Sequence, residues 1–410
     1  MVIGVINSEG HKNVKSRLIP KDWHSLKVKD VISFSGGSQP PKNTFITEKK
    51  SGYIRLIQIR DYKTDDFMTF IPEELANKKC NAEDVMIGRY GPPIFQILKG
   101  IKGAYNVALI KAIPTKKIEK GFMYYFLKQK TLFKHIELLS RRSSGQTGID
   151  IVALNAYPIA LPPVSEQKVI VTALSDMDEL IESLEKVIDK KKKIKQGTMQ
   201  QLLTGKKRLP GFTGEWENRS LGNIAEFYRG KGLPKSQIVS DGKYKCIHYG
   251  ELFTQYKENI QSVTSRTNIE KSCFTSRKND VLMPTSDVTP NGLATASCIQ
   301  EDNVILGGDI LVIRMGADTL NGVFLSYVIS NSKEQIMQLI SGTTVYHIYA
   351  ADMQGFKFKC PPTLCEQNAI VEILLSMNAE IELLEEKLEK YEQVKEGMMQ
   401  QLLTGRIRLV

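Results

Sequence analysis

Between positions 170 and 188, Ile170, Leu174, Met177, Ile181, Leu184 and Ile188 follow one another at intervals of 4, 3, 4, 3 and 4. Ile370, Leu374, Met377, Ile381, Leu384 and Leu388 repeat the same intervals. A period of 3.5 residues keeps one apolar stripe facing a partner helix and predicts a coiled-coil seam. Adjacent positions do not hold their character: Leu180 is matched by Glu380 and Val187 by Lys387. The seam is specified and its flanks are free.

This seam lies inside a longer repeat. Residues 166–209 align with 366–409 without a gap, and 22 of the 44 positions are identical, including QQLLTG at 200–205 and 400–405. Pro162-Pro163 and Pro361-Pro362 precede the repeats. Ser165 and Thr363 are candidate N-caps, with Gln167 and Gln367 close behind. Gly205 and Gly405 stand where a left-handed C-cap is expected. The pattern predicts two helices of about 38 residues, roughly 57 Å each, with Gly197 and Gly397 as candidate kinks. Two matched helices in one chain most simply pack antiparallel, with one globular domain at each end. A seam for homodimers is the competing reading.

The segments preceding each helix repeat more faintly. Trp23, Val28, Asp30, Val31, Phe34 and Gly37 correspond to Trp216, Leu221, Asn223, Ile224, Phe227 and Gly230 at a constant shift of 193. GYIRLIQI (52–59) resembles KYKCIHYG (243–250), and NAEDVMIGRYG (81–91) resembles RKNDVLMPTSD (277–287). Their alternating β-branched and aromatic residues predict strands. Phe122–Leu139 and Gly322–Ile340 predict amphipathic helices, each leading to a serine- and glycine-containing loop, 140–150 and 341–350, and then a short strand. The expected class is α+β with an internal two-fold repeat: two globular mixed α/β domains, 1–161 and 210–360, separated by a pair of long antiparallel coiled-coil helices, 162–209 and 361–410.

Charge refines this layout. Residues 1–160 carry 26 Lys and Arg against 14 Asp and Glu, whereas 211–360 carry 15 of each. The segments 161–210 and 361–410 stand at +3 and −4. A globular segment at +12 points to a polyanionic partner, nucleic acid first, or to a basic surface kept for solubility. The run Lys190–Lys193 would touch phosphates or pair with the second helix's Glu382, Glu385, Glu386 and Glu389; antiparallel packing favours pairing. No apolar run approaches the ~18 residues that span a bilayer, and the N-terminal residues lack a signal-peptide layout. The six cysteines form no CxxC pair and the five histidines no ligand spacing. Reduced thiols in a cytoplasm are expected, without structural metal.

The tandem of PPVSEQ (162–167) and PPTLCEQ (361–367) with the doubled QQLLTG resembles the specificity subunit of type I restriction-modification systems, over essentially the whole chain. One departure is the extra residue in PPTLCEQ. The resemblance implies two target recognition domains reading a bipartite asymmetric target in double-stranded DNA. It also implies docking to two methyltransferase (modification) subunits and to restriction, or motor, subunits. S-adenosylmethionine, ATP and magnesium would belong to those partners, and this chain would carry no cofactor. The alternatives are a coiled-coil assembly scaffold without DNA reading, and the specificity subunit of a methyltransferase-only or type IIB-like system.

No catalytic motif competes with this reading. An adenine methyltransferase needs an Asn/Asp-Pro-Pro-aromatic turn, but the Pro-Pro pairs here follow Gly91, Leu161 and Cys360. FSGGS (34–38) reads as a plain turn, and no GxxxxGK[ST] phosphate loop is present. Glu48-Lys49-Lys50, the nearest approach to a nuclease motif, reads as an exposed turn. No enzyme activity is expected.

Base reading needs arginine for guanine and amides for adenine, whereas lysines and hydroxyls mostly hold the backbone. In the first domain the candidates are Arg55, Gln58 and Arg60 on one predicted strand, Arg89 and Tyr90 on the next, and Arg141 and Arg142 in the loop 140–150. In family members that loop lies near DNA, which adds Ser144, Gly145 and Gln146. The second-domain candidates are Arg229, Lys231, Lys245, His248, Tyr249, Ser286, Thr343, Thr344, Tyr346 and His347.

Overall fold

A computed structural model describes residues 3–5, 11–14, 17–140, 148–270, 273–316 and 320–409. It divides into two compact units, residues 1–184 with 387–410, and residues 185–386. The units take in the long helices rather than leaving them apart. Each helix begins in one unit and ends in the other.

The long helices run over Val164–Leu202 and Leu364–Leu402. Thr363 caps the second, its Oγ1 accepting the Glu366 amide at 3.4 Å. Ser165 already lies within the first helix. Helical hydrogen bonding continues through Gly197 and Gly397. Both helices stop as the spacing predicts: Thr204 and Thr404 donate their hydroxyls to the Gln200 and Gln400 carbonyls at 2.6 Å. Gly205 and Gly405 follow at φ 69° and 72°. A β-carbon on Gly405 would lie 2.5 Å from Pro20 Cδ, and one on Gly205 3.0 Å from the Trp216 ring, so close packing adds to the demand for glycine.

Within each unit the helix packing is antiparallel. In the first, Ile170 and Leu174 at the start of one helix share a core with Met399, Leu402 and Leu403 at the end of the other. In the second, Ile370 and Leu374 share a core with Leu202 and Leu203. Along the seam Ile170, Leu174, Ile181, Leu184, Ile188, Ile370, Leu374 and Ile381 are buried, while Met177, Met377, Leu384 and Leu388 are half-buried. Lys191 and Lys192 pair with Glu380 and Glu385 at 2.6 Å, and Lys193 pairs with Asp189 on its own helix at 2.7 Å.

The globular part of the first unit has two four-stranded sheets. One is antiparallel, in the order 96–98, 85–88, 109–114, 32–36; the other runs 70–72, 53–57, 103–105, 79–80, with 53–57 parallel to 103–105. The second unit has five-stranded counterparts, 225–229, 310–315, 281–284, 297–299, 259–260 and 238–239, 266–267, 244–247, 305–306, 274–275.

Pairing corrects the repeat by one residue. Ile57 pairs with Tyr105 and Ile247 with Leu306, so Arg55 corresponds to Lys245 and Gln58 to His248. Apolar residues on both sides of the junction concealed the slip. FSGGS turns out to mark a close backbone approach: a β-carbon on Gly37 would lie 1.9 Å from the Asn106 carbonyl, and one on Gly230 2.0 Å from that of Gly307.

The helices expected at Phe122–Leu139 and Gly322–Ile340 are each broken in two, Lys120–Leu127 with Lys130–Ser140, and Gly322–Asn331 with Lys333–Leu339. At the second break the Ser332 hydroxyl donates to the Val328 carbonyl at 2.7 Å, drawing the backbone out of helical geometry. The fold is α+β, two mixed globular domains each built against the long helices.

Candidate nucleic-acid interface

The Glu-Gln pair after each Pro-Pro is the frame on which each globular domain is mounted. In the first unit Glu166, 6% exposed, accepts the Trp23 indole N–H at 3.1 Å and a two-pronged bond from Arg408 at 2.8 and 2.6 Å. Arg408 is delivered by the strand Ile407–Leu409, which pairs with Ile3–Val5. In the second unit Glu366, 1% exposed, accepts the Trp216 indole at 3.2 Å and Arg208 at 2.6 and 2.8 Å. Gln167 accepts the Glu119 amide at 2.6 Å and donates to the Lys117 and Pro162 carbonyls. Gln367 accepts the Asn321 amide at 2.8 Å and donates to the Pro361 carbonyl. Both glutamines tie the long helix to the domain's own helix rather than capping their own turn.

On this mount, Asp61 gathers the first unit's candidates. The strand carrying Arg55 ends at Ile57, so Gln58 and Arg60 lie on the following 3-10 turn, not on the strand face expected for them. Arg55 Nη2 reaches Asp65 at 2.7 Å and its Nε lies 3.6 Å from Asp61. The Gln58 amide donates to Asp61 at 3.2 Å, and the Gln58 side chain donates to Thr69 Oγ1. Arg60 lies 5.5 Å from the Phe67 ring and is the most exposed of the three. Burial is the largest influence on Asp61 and raises its carboxyl above the usual range, against the Gln58 amide and the nearby arginines. A cavity of about 540 Å³ opens beside Arg55 and Asp61, rimmed by Lys63, Lys99 and Lys102. Those three lysines were no sequence candidates; only the regional charge pointed to them. Arg89 stacks on Tyr90 at 5.3 Å, and Tyr90 lies beside Gly148. Arg141, Arg142, Ser144, Gly145 and Gln146 lie outside the described residues.

The second unit is held differently. Arg229 pairs with Asp309 at 2.9 Å and donates to the Gly308 carbonyl at 2.7 Å. Lys245 pairs with Glu301 at 2.5 Å, a bond that, with the Val263 amide, outweighs burial and holds the Glu301 carboxyl below its usual range. Lys231 is exposed beyond its strand. The His248 and Tyr249 rings lie 4.6 Å apart, tilted by 42°, on the turn equivalent to Gln58. Ser286 and His347 face each other across a two-stranded ribbon, with Asp287 opposite Tyr346 and the exposed Thr343 and Thr344 just before it. Tyr349, stacked on His347 at 6.0 Å, is a further exposed member that its alternation with His347 could have revealed.

Cys80, Cys246, Cys298, Cys360 and Cys365 are free thiols; burial pushes Cys246 up to about 11 and Cys298 up to about 12, leaving both unreactive. Among the described residues no acidic, histidine or cysteine cluster could hold a metal, and no helix is long and apolar enough to cross a membrane.

The arrangement offers charge, amides, hydroxyls and aromatic faces on two repeated mounts, the vocabulary of DNA contact. Comparison with known proteins agrees. The profile of the type I restriction modification DNA specificity domain matches residues 20–196 and again 213–393. The chain is 24% identical over 434 residues to the type I restriction enzyme MjaVIII specificity subunit of Methanocaldococcus jannaschii, covering 100% of this chain and 98% of that one. Its fold is similar to the S subunit of a type I restriction-modification system from M. genitalium, at TM-score 0.58 and 14% identity over 93% and 96% of the two chains. It is also similar to a chain from a structural study of complex assembly and conformational transition in the type I R-M system, at TM-score 0.56 and 16% identity over 95% and 99%. With two matches that span most of its length, the chain belongs to the type I restriction-modification DNA specificity family.

Proposed function

We propose that this subunit reads a bipartite DNA target, one half through each globular domain, and is itself non-catalytic. Two methyltransferase subunits using S-adenosylmethionine would supply the chemistry, with ATP- and magnesium-dependent restriction subunits joining them in the cytoplasm. The carrying observation is the doubling of the specificity domain with its Glu-Trp-Arg mount kept and its reading face changed. Arg55 and Lys245 occupy one structural position yet are held by unrelated partners, Asp61 and Asp65 against Glu301. A first segment at +12 argues against a scaffold without DNA contact.

The test is to exchange residues 211–360 for those of a homologue and sequence the methylome of cells carrying the hybrid with its methyltransferase. One half of the methylated motif should change and the other should stay. A motif altered in both halves would mean that the two domains build a single recognition surface.

A further inference from the structure

The first long helix carries a second apolar stripe beside its seam. Leu180, Val187 and Ile194 recur at intervals of seven, which two helical turns bring back to one face. They are 44%, 43% and 46% exposed, while the neighbouring seam residues Ile181, Leu184 and Ile188 are buried. The equivalent positions on the second long helix are Glu380, Lys387 and Val394. That helix keeps its seam and its length with two of the three positions charged. Packing within the chain therefore does not require Leu180 or Val187. The stripe extends about 21 Å along the helix, and apolar residues aligned in this way mark an interaction surface.

The charges around the stripe fall in two blocks. Residues 176–185 hold Asp176, Asp178, Glu179, Glu182 and Glu185 and no base, whereas 186–195 hold six lysines and a single acid, Asp189. Part of this charge is used inside the chain: Asp178 pairs with Lys395, Lys191 with Glu380, Lys192 with Glu385 and Lys193 with Asp189. Asp176, Glu179 and Lys190 are exposed on the flank away from the seam, and among the described residues none of the three forms an ion pair.

We propose that the stripe is an interface between two copies of this chain, running antiparallel about a two-fold axis near Val187. A reversed copy lays its acidic block along the basic block and brings its Leu180 to Ile194. A parallel copy would set acid on acid and lysine on lysine, so charge selects the direction. The contact is self-complementary, each pair of residues occurring twice across the axis. With three apolar side chains from each copy it belongs to the small, reversible class of interfaces. It joins two specificity subunits in one assembly.

Sedimentation velocity of the full chain at rising concentration should show a reversible monomer–dimer equilibrium that added salt weakens. The variant Leu180→Glu/Val187→Lys gives the first helix the residues that the second already carries, so its melting curve should be retained. Its dimer dissociation constant should rise about ten-fold or more, because charge replaces apolar contact. Cross-linking with diamide reads the direction, against a Cys365→Ser parent. Val187→Cys should form a disulfide dimer, and Leu180→Cys should link to Ile194→Cys but not to itself. A chain that sediments as a monomer at every concentration, or a double variant that dimerises as tightly, would overturn the proposal. So would Leu180→Cys linking only to itself, which would mean a parallel pair. If the chain stays monomeric and the double variant loses its methyltransferase, the stripe belongs to that partner and the inference fails, with the DNA-reading role untouched.

Discussion

The same mount closes both units, yet one position inside it differs. In the first unit Tyr125 donates its hydroxyl to Asp178 at 2.7 Å, and Asp178 also pairs with Lys395. In the second the corresponding residues are Tyr327, Asn378 and Lys195. There Asn378 Nδ2 donates to the Tyr327 oxygen at 2.7 Å and Lys195 lies over the tyrosine ring at 5.9 Å. Exchanging a carboxylate for an amide reverses the hydrogen bond and sends the lysine from an ion pair to a ring face. Glu166 and Glu366, by contrast, do not vary. Each must satisfy an indole and an arginine together, and an amide cannot accept from all of those donors. Identity persists where several buried groups depend on one side chain, and drifts where a single bond can be made another way.

The sharpest way to break the frame is to remove its carboxylates. Glu366→Ala would leave Trp216 and Arg208 without their shared acceptor, at a cost of about 3 kcal/mol. Glu166→Ala should cost less, because Arg408 keeps a two-pronged bond to Asp22 at 2.9 and 2.7 Å. Hydrogen exchange in the helices Gly322–Asn331 and Lys120–Leu127 reads the two units separately. Equal loss of protection in both variants would show that the Asp22 contact does not compensate.

A weaker effect should separate the units by pH. Burial alone would raise the Asp178 carboxyl, but its bonds from Lys395 and Tyr125 outweigh burial and hold it below the usual range. A depressed folded-state pKa contributes stability that is fully present above the unfolded value, about 3.9, and is lost as pH falls through the folded value. The first unit should therefore lose stability below about pH 4 in a way that Asp178→Asn reduces, while Asn378→Ala leaves the acid profile unchanged in shape. Urea midpoints followed from pH 6 to pH 3 would check this. An unaltered acid slope in Asp178→Asn would assign the loss to other carboxylates.

These contrasts also mark what the sequence could reveal. The seam was readable because burial imposes a 3.5-residue period on neighbouring positions, and QQLLTG because a helix stop is local chemistry. Gln167 looked like a capping residue and Glu166 like no more than a repeated position, because the partner that explains Glu166, Arg408, stands 242 positions away. Arg229 and Lys245 had the composition of DNA readers, but their pairing with Asp309 and Glu301 depends on strand order rather than spacing.

The smallest effect concerns the interior glycines, where the two repeats should behave alike. A β-carbon on Gly197 or Gly397 would meet nothing within 4 Å, and both positions lie within continuous helix. Neither packing nor a left-handed conformation within this chain requires glycine there, so Gly197→Ala and Gly397→Ala should each stabilise the isolated chain by up to about 1 kcal/mol through helix propensity. On the proposed function, a methyltransferase docking against the long helices would use the space that the two glycines leave open. Each alanine variant should unfold at higher urea yet bind the methyltransferase less tightly. Higher stability with unchanged affinity would leave the two glycines without a role in assembly.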